Sequence, residues 1–261
     1  MSNFLYKIQS LTEARVNEAK VALPHSVLKE RMQHKPRNFL ELLVAGGQPR
    51  VIAEVKRQSP SLGAIALTLD PVAVAQEYMV SGAAAISVLT EPNYFGGSIE
   101  TLADIREALP AMPLLMKDFV IDPYQLLQAR VAGADAVLLI QALLGEAKLN
   151  ELLLTTAELG LTALVEVHDA LEMKSAIRSG AKLIGINNRN LRTLDVSLSV
   201  SKDLAQFVTP GVTLVSESGI ESESQIKELM QIGFDAFLIG SALMKSQQPG
   251  RSLKRILGRA V

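Results

Sequence analysis

One phrase recurs along this chain and limits what it can fold into: a glycine, one or two small residues, an apolar run, then a polar break. It reads Gly82-Ala-Ala-Ala-Ile-Ser-Val, Gly133-Ala-Asp-Ala-Val-Leu-Leu-Ile, Gly180-Ala-Lys-Leu-Ile-Gly-Ile and Gly233-Phe-Asp-Ala-Phe-Leu-Ile-Gly. Glycine tolerates φ > 0 and so ends a helix, and the apolar run after it has the character of a strand buried on both faces. The four glycines stand 51, 47 and 53 residues apart, room for two βα units in each interval. Such a period also suits a solenoid, but the intervening helices are too long and the strands too apolar for a leucine-rich horseshoe.

The intervals yield eight strands, near Val51–Val55, Ala84–Val88, Leu114–Lys117, Ala136–Ile140, Ala163–Val167, Leu183–Asn187, Val212–Glu217 and Ala236–Gly240. Amphipathic stretches alternate with them, among them Pro71–Val80, Ile99–Ala108, Pro123–Ala132, Ala147–Leu159 and Glu221–Ile232. Pro71 and Pro123 each follow an Asp, an N-cap ahead of a first turn that accepts a missing N–H. Eight such repeats predict an α/β fold, a closed (β/α)8 TIM barrel, rather than an open doubly wound sheet. The Rossmann alternative lacks a G-x-G-x-x-G after its first strand. The expected organisation is one barrel domain over 1–261, with 1–48 an N-terminal helical extension whose apolar stripe includes Tyr6, Ile8, Leu11 and Val16.

Composition agrees with a large aliphatic core. Of the 261 residues, 48% are hydrophobic and 20% charged, and Trp is absent. A net charge of -1 gives no basis for a nucleic-acid or membrane-surface partner. The absence of Cys excludes disulfides, thiol nucleophiles and cysteine–metal sites. No apolar run reaches membrane-spanning length and no leader follows Met1, so the expected location is cytoplasmic. A monomer is the expected state, although no feature of the chain defines it.

Barrel enzymes carry their chemistry at the C-terminal ends of the strands. Glu54 and Lys56 end the first strand on one face, Lys117 the third, Glu166 the fifth, Asn187 the sixth and Glu217 the seventh. Two residues before the five strand ends stand Ile52, Leu115, Leu164, Gly185 and Val215, all apolar or Gly. The polar positions therefore form a ring over an apolar plug. As ion pairs alone, five charges at equivalent strand ends would add little stability, whereas charges that shift one another's pKa suit acid–base chemistry.

A phosphate site is the second expectation. Ser218-Gly219 follows the seventh strand, and Gly240-Ser241 leads from the eighth into a short helical stretch, Ala242–Lys245. Small residues there expose backbone N–H groups to an anion, and Arg189 adds a fork of donors. The loop Arg57–Gly63 brings Ser59 toward the same place, and a Gly-rich flexible loop, Asn93–Gly97, carries Phe95. Phe95 and Phe119 can wall a flat ring or equally pack as helix-facing core. His168, two residues past Glu166, invites a dyad, but with no Cys and no neighbouring His it is read as structural or as a loop residue. His25 and His34 are read as surface residues. No metal or cofactor is expected.

The segments Val51–Ser61, Met116–Phe119, Leu164–His168, Ile184–Leu191, Ser216–Ile220 and Ile239–Ser241 resemble, in order, the indole-3-glycerol-phosphate synthase family. The combination E-x-K-x-x-S-P-S, K-D-F and E-S-G-I is specific. The resemblance implies conversion of 1-(2-carboxyphenylamino)-1-deoxyribulose 5-phosphate to indole-3-glycerol phosphate, CO2 and water, in tryptophan biosynthesis, without cofactor or metal. It implies Lys117 as general acid for ring closure and Lys56, positioned by Glu54, at the ring carboxylate. Glu54, Glu166 and Lys56 are the candidates for dehydration, and the sequence does not divide these roles. Asn187 and Glu217 would hold sugar hydroxyls or lysines, while Ser59, Arg189, Ser218, Gly219, Gly240 and Ser241 would hold phosphate. Leu138 and Leu191 would line the ring slot. A phosphoribosylanthranilate-isomerase-like barrel would need a catalytic Cys, and a non-catalytic phosphometabolite-binding barrel would not need the charged ring.

Overall fold

A computed structural model describes residues 3–44, 48–59, 63–64, 69–246 and 248–260, with the backbone alone for Asn3, Ser59 and Ala64. Eight parallel strands close into a barrel: β1 (Arg50–Val55), β4 (Ala85–Leu89), β5 (Leu114–Lys117), β6 (Ala136–Ile140), β7 (Thr162–Val167), β8 (Leu183–Asn187), β9 (Thr213–Glu217) and β10 (Ala236–Ile239). Within the loop expected after the first strand, two short strands, β2 (Gln58–Ser59) and β3 (Gly63–Ala64), pair antiparallel.

The outer helices are α4 (Pro71–Ser81), α6 (Ile99–Ala108), α7 (Pro123–Ala132), α8 (Gln141–Glu158), α9 (Ala170–Arg178), α10 (Ser199–Ala205), α11 (Glu223–Gln231) and α13 (Pro249–Ile256). Single turns α5 (Pro92–Phe95) and α12 (Ser241–Met244) lie at the C-terminal ends of β4 and β10. Asp70 and Asp122 cap α4 and α7 with Pro at the first positions, as expected from sequence. The four recurrent glycines all take positive φ. At Gly133 this conformation ends α7, and a Cβ there would press on the buried Arg106 side chain.

Two helix starts differ from expectation. α8 begins at Gln141 rather than Ala147, because a turn starts directly from β6 and breaks at Gly145 (φ 67, ψ 173) before continuing. α11 begins at Glu223 rather than Glu221, because Ser222 and Gln225 close a capping box.

Along the barrel axis the side chains stack in layers. Ile52, Leu115, Leu164 and Val215 come from alternate strands and belong to one buried apolar cluster inside the barrel. At the opposite end from the polar ring, the fully buried Asp135 accepts from Arg106, from the Leu114 N–H (2.9 Å) and from the Arg37 N–H (2.8 Å). His34 stands 3.4 Å from the same carboxylate and is half-buried, which corrects its expected surface role. These contacts bind the segment entering the barrel to its base.

Residues before the barrel form α1 (Asn3–Ala22), α2 (His25–Glu30) and α3 (Phe39–Val44). Leu5, Ile8, Thr12 and Val16 make the buried face of α1, whereas Tyr6 is 59% and Leu11 37% exposed. The expected stripe was thus half right. Val16 and Leu28 pack on Tyr124 and Leu127 of α7, and the Tyr124 hydroxyl donates to the Leu23 carbonyl at 2.7 Å. Among the described residues, no helix is long and apolar enough to cross a membrane.

Candidate active site

The barrel's C-terminal mouth opens into a cavity of about 640 Å3. Its floor is a second layer of four from alternate strands: Glu54 of β1, Lys117 of β5, Glu166 of β7 and Glu217 of β9. Each stands two residues beyond a member of the apolar layer, so β-alternation keeps it pointing inward. Eight strands make a barrel narrow enough for these side chains to meet across the axis.

They form a chain of charges. Lys56 Nζ lies 2.7 Å from Glu54 Oε1, and Lys117 Nζ lies 3.2 Å from both Glu54 Oε2 and Glu217 Oε2. Burial opposes ionisation of Glu54, but the Lys117 and Lys56 charges outweigh it and pull its pKa down to about 2. Burial likewise disfavours the Lys117 ammonium, yet Glu54, Glu217 and Glu166 raise its pKa well above the usual lysine range. Lys117 is therefore a firmly charged ammonium. Glu217 is pushed upward by burial and by the neighbouring Glu166 charge, despite Lys117. Its Oε1 is buried with no hydrogen-bond partner among the described residues, which fits a reluctance to ionise. Glu166 moves the other way: burial opposes its charge, but His168, Lys117 and Asn187 favour it.

Two glycines leave room for this arrangement. A Cβ on Gly185 would overlap Glu217 Oε1, and one on Gly240 would overlap Glu54 Oε1. Gly240, expected at the phosphate, thus also leaves space for a carboxylate of the charged floor.

One wall carries the residues expected at the phosphate. Ser218 (φ 66) and Gly219 (φ 83) turn the chain sharply after β9, an unusual conformation for the serine. Asn188 holds that turn, its Nδ2 donating to the Glu217 and Ser218 carbonyls at 2.9 and 3.0 Å. Ser241 begins α12, and its Oγ accepts from Lys56 Nζ at 3.1 Å. Arg189 lines the cavity with its Nη1 donating to the Leu194 carbonyl at 2.9 Å, and no carboxylate pairs with it among the described residues. The Ser59 side chain, expected here, lies outside the described residues.

The other wall is apolar. Phe95, Phe119, Leu138 and Leu191 all line the cavity. Phe4 of α1 joins them, stacked edge-on at 5.3 Å from Tyr94 and 6.2 Å from Phe119. The expected flexible Gly-rich loop is instead a tightly held turn: the buried Glu91 carboxylate accepts the Asn93, Tyr94 and Phe95 N–H groups. Arg15 holds α1 in place by a two-pronged pair with Asp118, at 3.0 and 2.7 Å.

Every site residue expected from sequence whose side chain is described lines the cavity except Glu217. Glu217, the fourth member of the floor layer, is almost fully buried and pairs with Lys117 rather than lining the cavity. Phe4, Arg192 and Lys245 line the cavity and were not anticipated. Lys245 sat inside the short helical stretch read from sequence, and its charge was the available signal. Phe4 gave none, because only the packing of α1 brings it to the mouth.

Fold and site together define a (β/α)8-barrel enzyme whose cavity has a charged floor, an aromatic wall and a wall of Gly–Ser turns with Arg189. The family model described as indole-3-glycerol phosphate synthase matches residues 5–256. The indole-3-glycerol phosphate synthase of Carboxydothermus hydrogenoformans is 46% identical, covering 97% of this chain and 99% of its own. That of Ruminiclostridium cellulolyticum is 41% identical, covering 98% and 99%. The chain belongs to the indole-3-glycerol phosphate synthase family, carboxy-lyases of tryptophan biosynthesis. Among solved structures, 3-hexulose-6-phosphate synthase from Salmonella typhimurium superposes with a TM-score of 0.65 at 12% identity, over 80% of this chain and 97% of that one. Thiamine phosphate pyrophosphorylase from Pyrococcus furiosus gives 0.60 at 16%, over 83% and 95%. Both likenesses concern the fold alone.

Proposed function

We propose that this enzyme closes, decarboxylates and dehydrates 1-(2-carboxyphenylamino)-1-deoxyribulose 5-phosphate, with Lys117 as the acid of ring closure. The observation that carries the assignment is Lys117 itself: an ammonium held between Glu54 and Glu217 at the cavity floor. Attack of the substituted ring carbon on the sugar ketone turns the carbonyl oxygen into an alkoxide, and Lys117 supplies its proton. The aromatic wall receives the benzoate ring, and the phosphate fits against Ser218, Gly219, Gly240, Ser241 and Arg189.

Lys56, fixed by Glu54 and Ser241, meets the ring carboxylate before it leaves as CO2. Glu54 lies between two lysines and serves to position them. Glu166 lines the cavity as a carboxylate and is the base for dehydration, taking the proton as the hydroxyl departs with one from a lysine. Asn187 also lines the cavity beside Glu166 and is suited to a sugar hydroxyl.

Turnover is followed by the fluorescence of the indole product. Lys117→Ala is expected to lower kcat by roughly 100-fold or more while the phosphate ester still binds. Near-normal turnover in that variant would remove Lys117 from the mechanism.

A further inference from the structure

The ring closure and decarboxylation leave one buried group unused. His168, just past the end of β7, has its Nε2 3.1 Å from Glu166 Oε1 and its Nδ1 3.0 Å from Glu172 Oε2. Glu172 is the third residue of α9, and its Oε2 also accepts the His168 backbone N–H at 2.8 Å. A carboxylate at that position of a helix commonly reaches back to the cap backbone N–H. Here it reaches one residue further and holds both the main chain and the ring of His168. The imidazole side chain is 12% exposed, and Glu166 beyond it only 4%.

We propose that His168 and Glu172 form a positioning relay that keeps the Glu166 carboxylate anionic and aimed into the cavity. This rests on the reading of Glu166 as the dehydration base. The geometry runs in one direction: the start of α9 fixes Glu172, Glu172 fixes the ring, and the ring fixes one oxygen of Glu166, leaving the other for substrate. The Nε2–H does not point along the line to Glu166, so the contact is an ion pair rather than an aligned hydrogen bond. Burial alone would lower the His168 pKa, but Glu166 and Glu172 raise it to about 10, so the ring is a cation through the neutral range. Facing Glu166 from other strands are Lys117 of β5, Glu217 of β9 and Asn187 of β8. Glu146 of α8 is engaged further along α9 by Ser175 and Arg178. Without the imidazolium, the nearby Glu217 carboxyl and burial both oppose ionisation of Glu166, and only Lys117 and Asn187 remain to favour it.

The test compares kcat and KM of the full chain with His168→Asn, Glu172→Gln and Glu166→Gln from about pH 5 to about pH 10. His168→Asn is expected to lower kcat roughly tenfold, leave KM within about twofold, and remove the alkaline limb that loss of the ring proton gives the parent near pH 10. Glu172→Gln frees the ring to lose its proton earlier, so the alkaline limb moves down by about one unit. A merely structural ion pair would change stability without moving the alkaline limb. If His168→Asn does not fold, Glu172→Gln carries the test, since it alters only the outer partner. Folded variants whose profiles superimpose on the parent overturn the relay, provided Glu166→Gln is inactive. Full turnover in Glu166→Gln removes instead the assignment of the base on which the relay depends.

Discussion

At the residue scale, the site depends on side chains that are missing as much as on those present. Gly185 sits in the barrel interior directly against Glu217 Oε1. Glu217 is almost fully buried and its other oxygen holds Lys117, so an added methyl has no solvent into which to push it. Gly185→Ala is therefore expected to unseat Lys117 and lower kcat by about tenfold. The accompanying loss of stability should be about 1–3 kcal/mol, the usual range for overpacking. Steady-state kinetics with a thermal melt separates the two effects, and an unchanged kcat would show that Glu217 yields without cost to Lys117. Neither glycine next to a carboxylate was legible as such in the sequence. Gly185 read as one member of an apolar layer and Gly240 as a turn residue, because each neighbour that needs its space comes from a different strand.

At the element scale, α1 forms part of the site although it precedes the barrel. Asp118 receives Arg15 from α1, the Thr90 hydroxyl at 2.8 Å and the Phe119 N–H at 2.8 Å. One carboxylate thereby ties helix, loop and aromatic wall together. Arg15→Ala leaves Asp118 short of two charged hydrogen bonds, a cost of about 1–3 kcal/mol. It also loosens the helix that seats Phe4. KM is expected to rise several-fold, roughly 3–10, with a smaller change in kcat, as removal of ground-state binding predicts. A KM within error of the parent would mean that Phe4 is held by its aromatic neighbours alone. Helix starts such as Asp70-Pro71 and Asp122-Pro123 could be read locally, because a cap is satisfied within three residues. The buried face of α1 could not, because Tyr6 and Leu11 are as apolar in sequence as Leu5 and Ile8.

At the scale of the whole molecule, the buried charges couple stability to pH. Glu54 ionises near 2 when folded and near ~4.3 when unfolded. Its stabilisation is complete above the unfolded value and disappears as pH falls toward 2, and the lowered Glu166 has the same sign. His168 behaves oppositely: its pKa of about 10 exceeds the unfolded value of ~6.5. Its stabilisation is complete below about pH 6.5 and is lost as pH rises through 10. Glu217, raised in the fold, also subtracts stability as pH climbs above the ordinary carboxylate range. The melting temperature should thus peak on the mildly acidic side of neutral and decline toward pH 10, with a shallower alkaline decline in His168→Asn. A melting temperature that climbs steadily from pH 7 to 10 would contradict this balance of charges.

The eight strands, their order and the polar ring over an apolar plug were determined by the chain itself. Period-two alternation of side-chain direction and glycine helix ends are local rules, which a closed barrel reuses from strand to strand. Tertiary structure alone decided which charges meet. Glu54, Lys117, Glu166 and Glu217 come from alternate strands of a narrow barrel, so their distances depend on closure and strand stagger, which no local pattern encodes. The same reason hid Phe4, the space at Gly185 and the hold of Glu172 on His168: each exists only where segments distant in sequence are packed against one another.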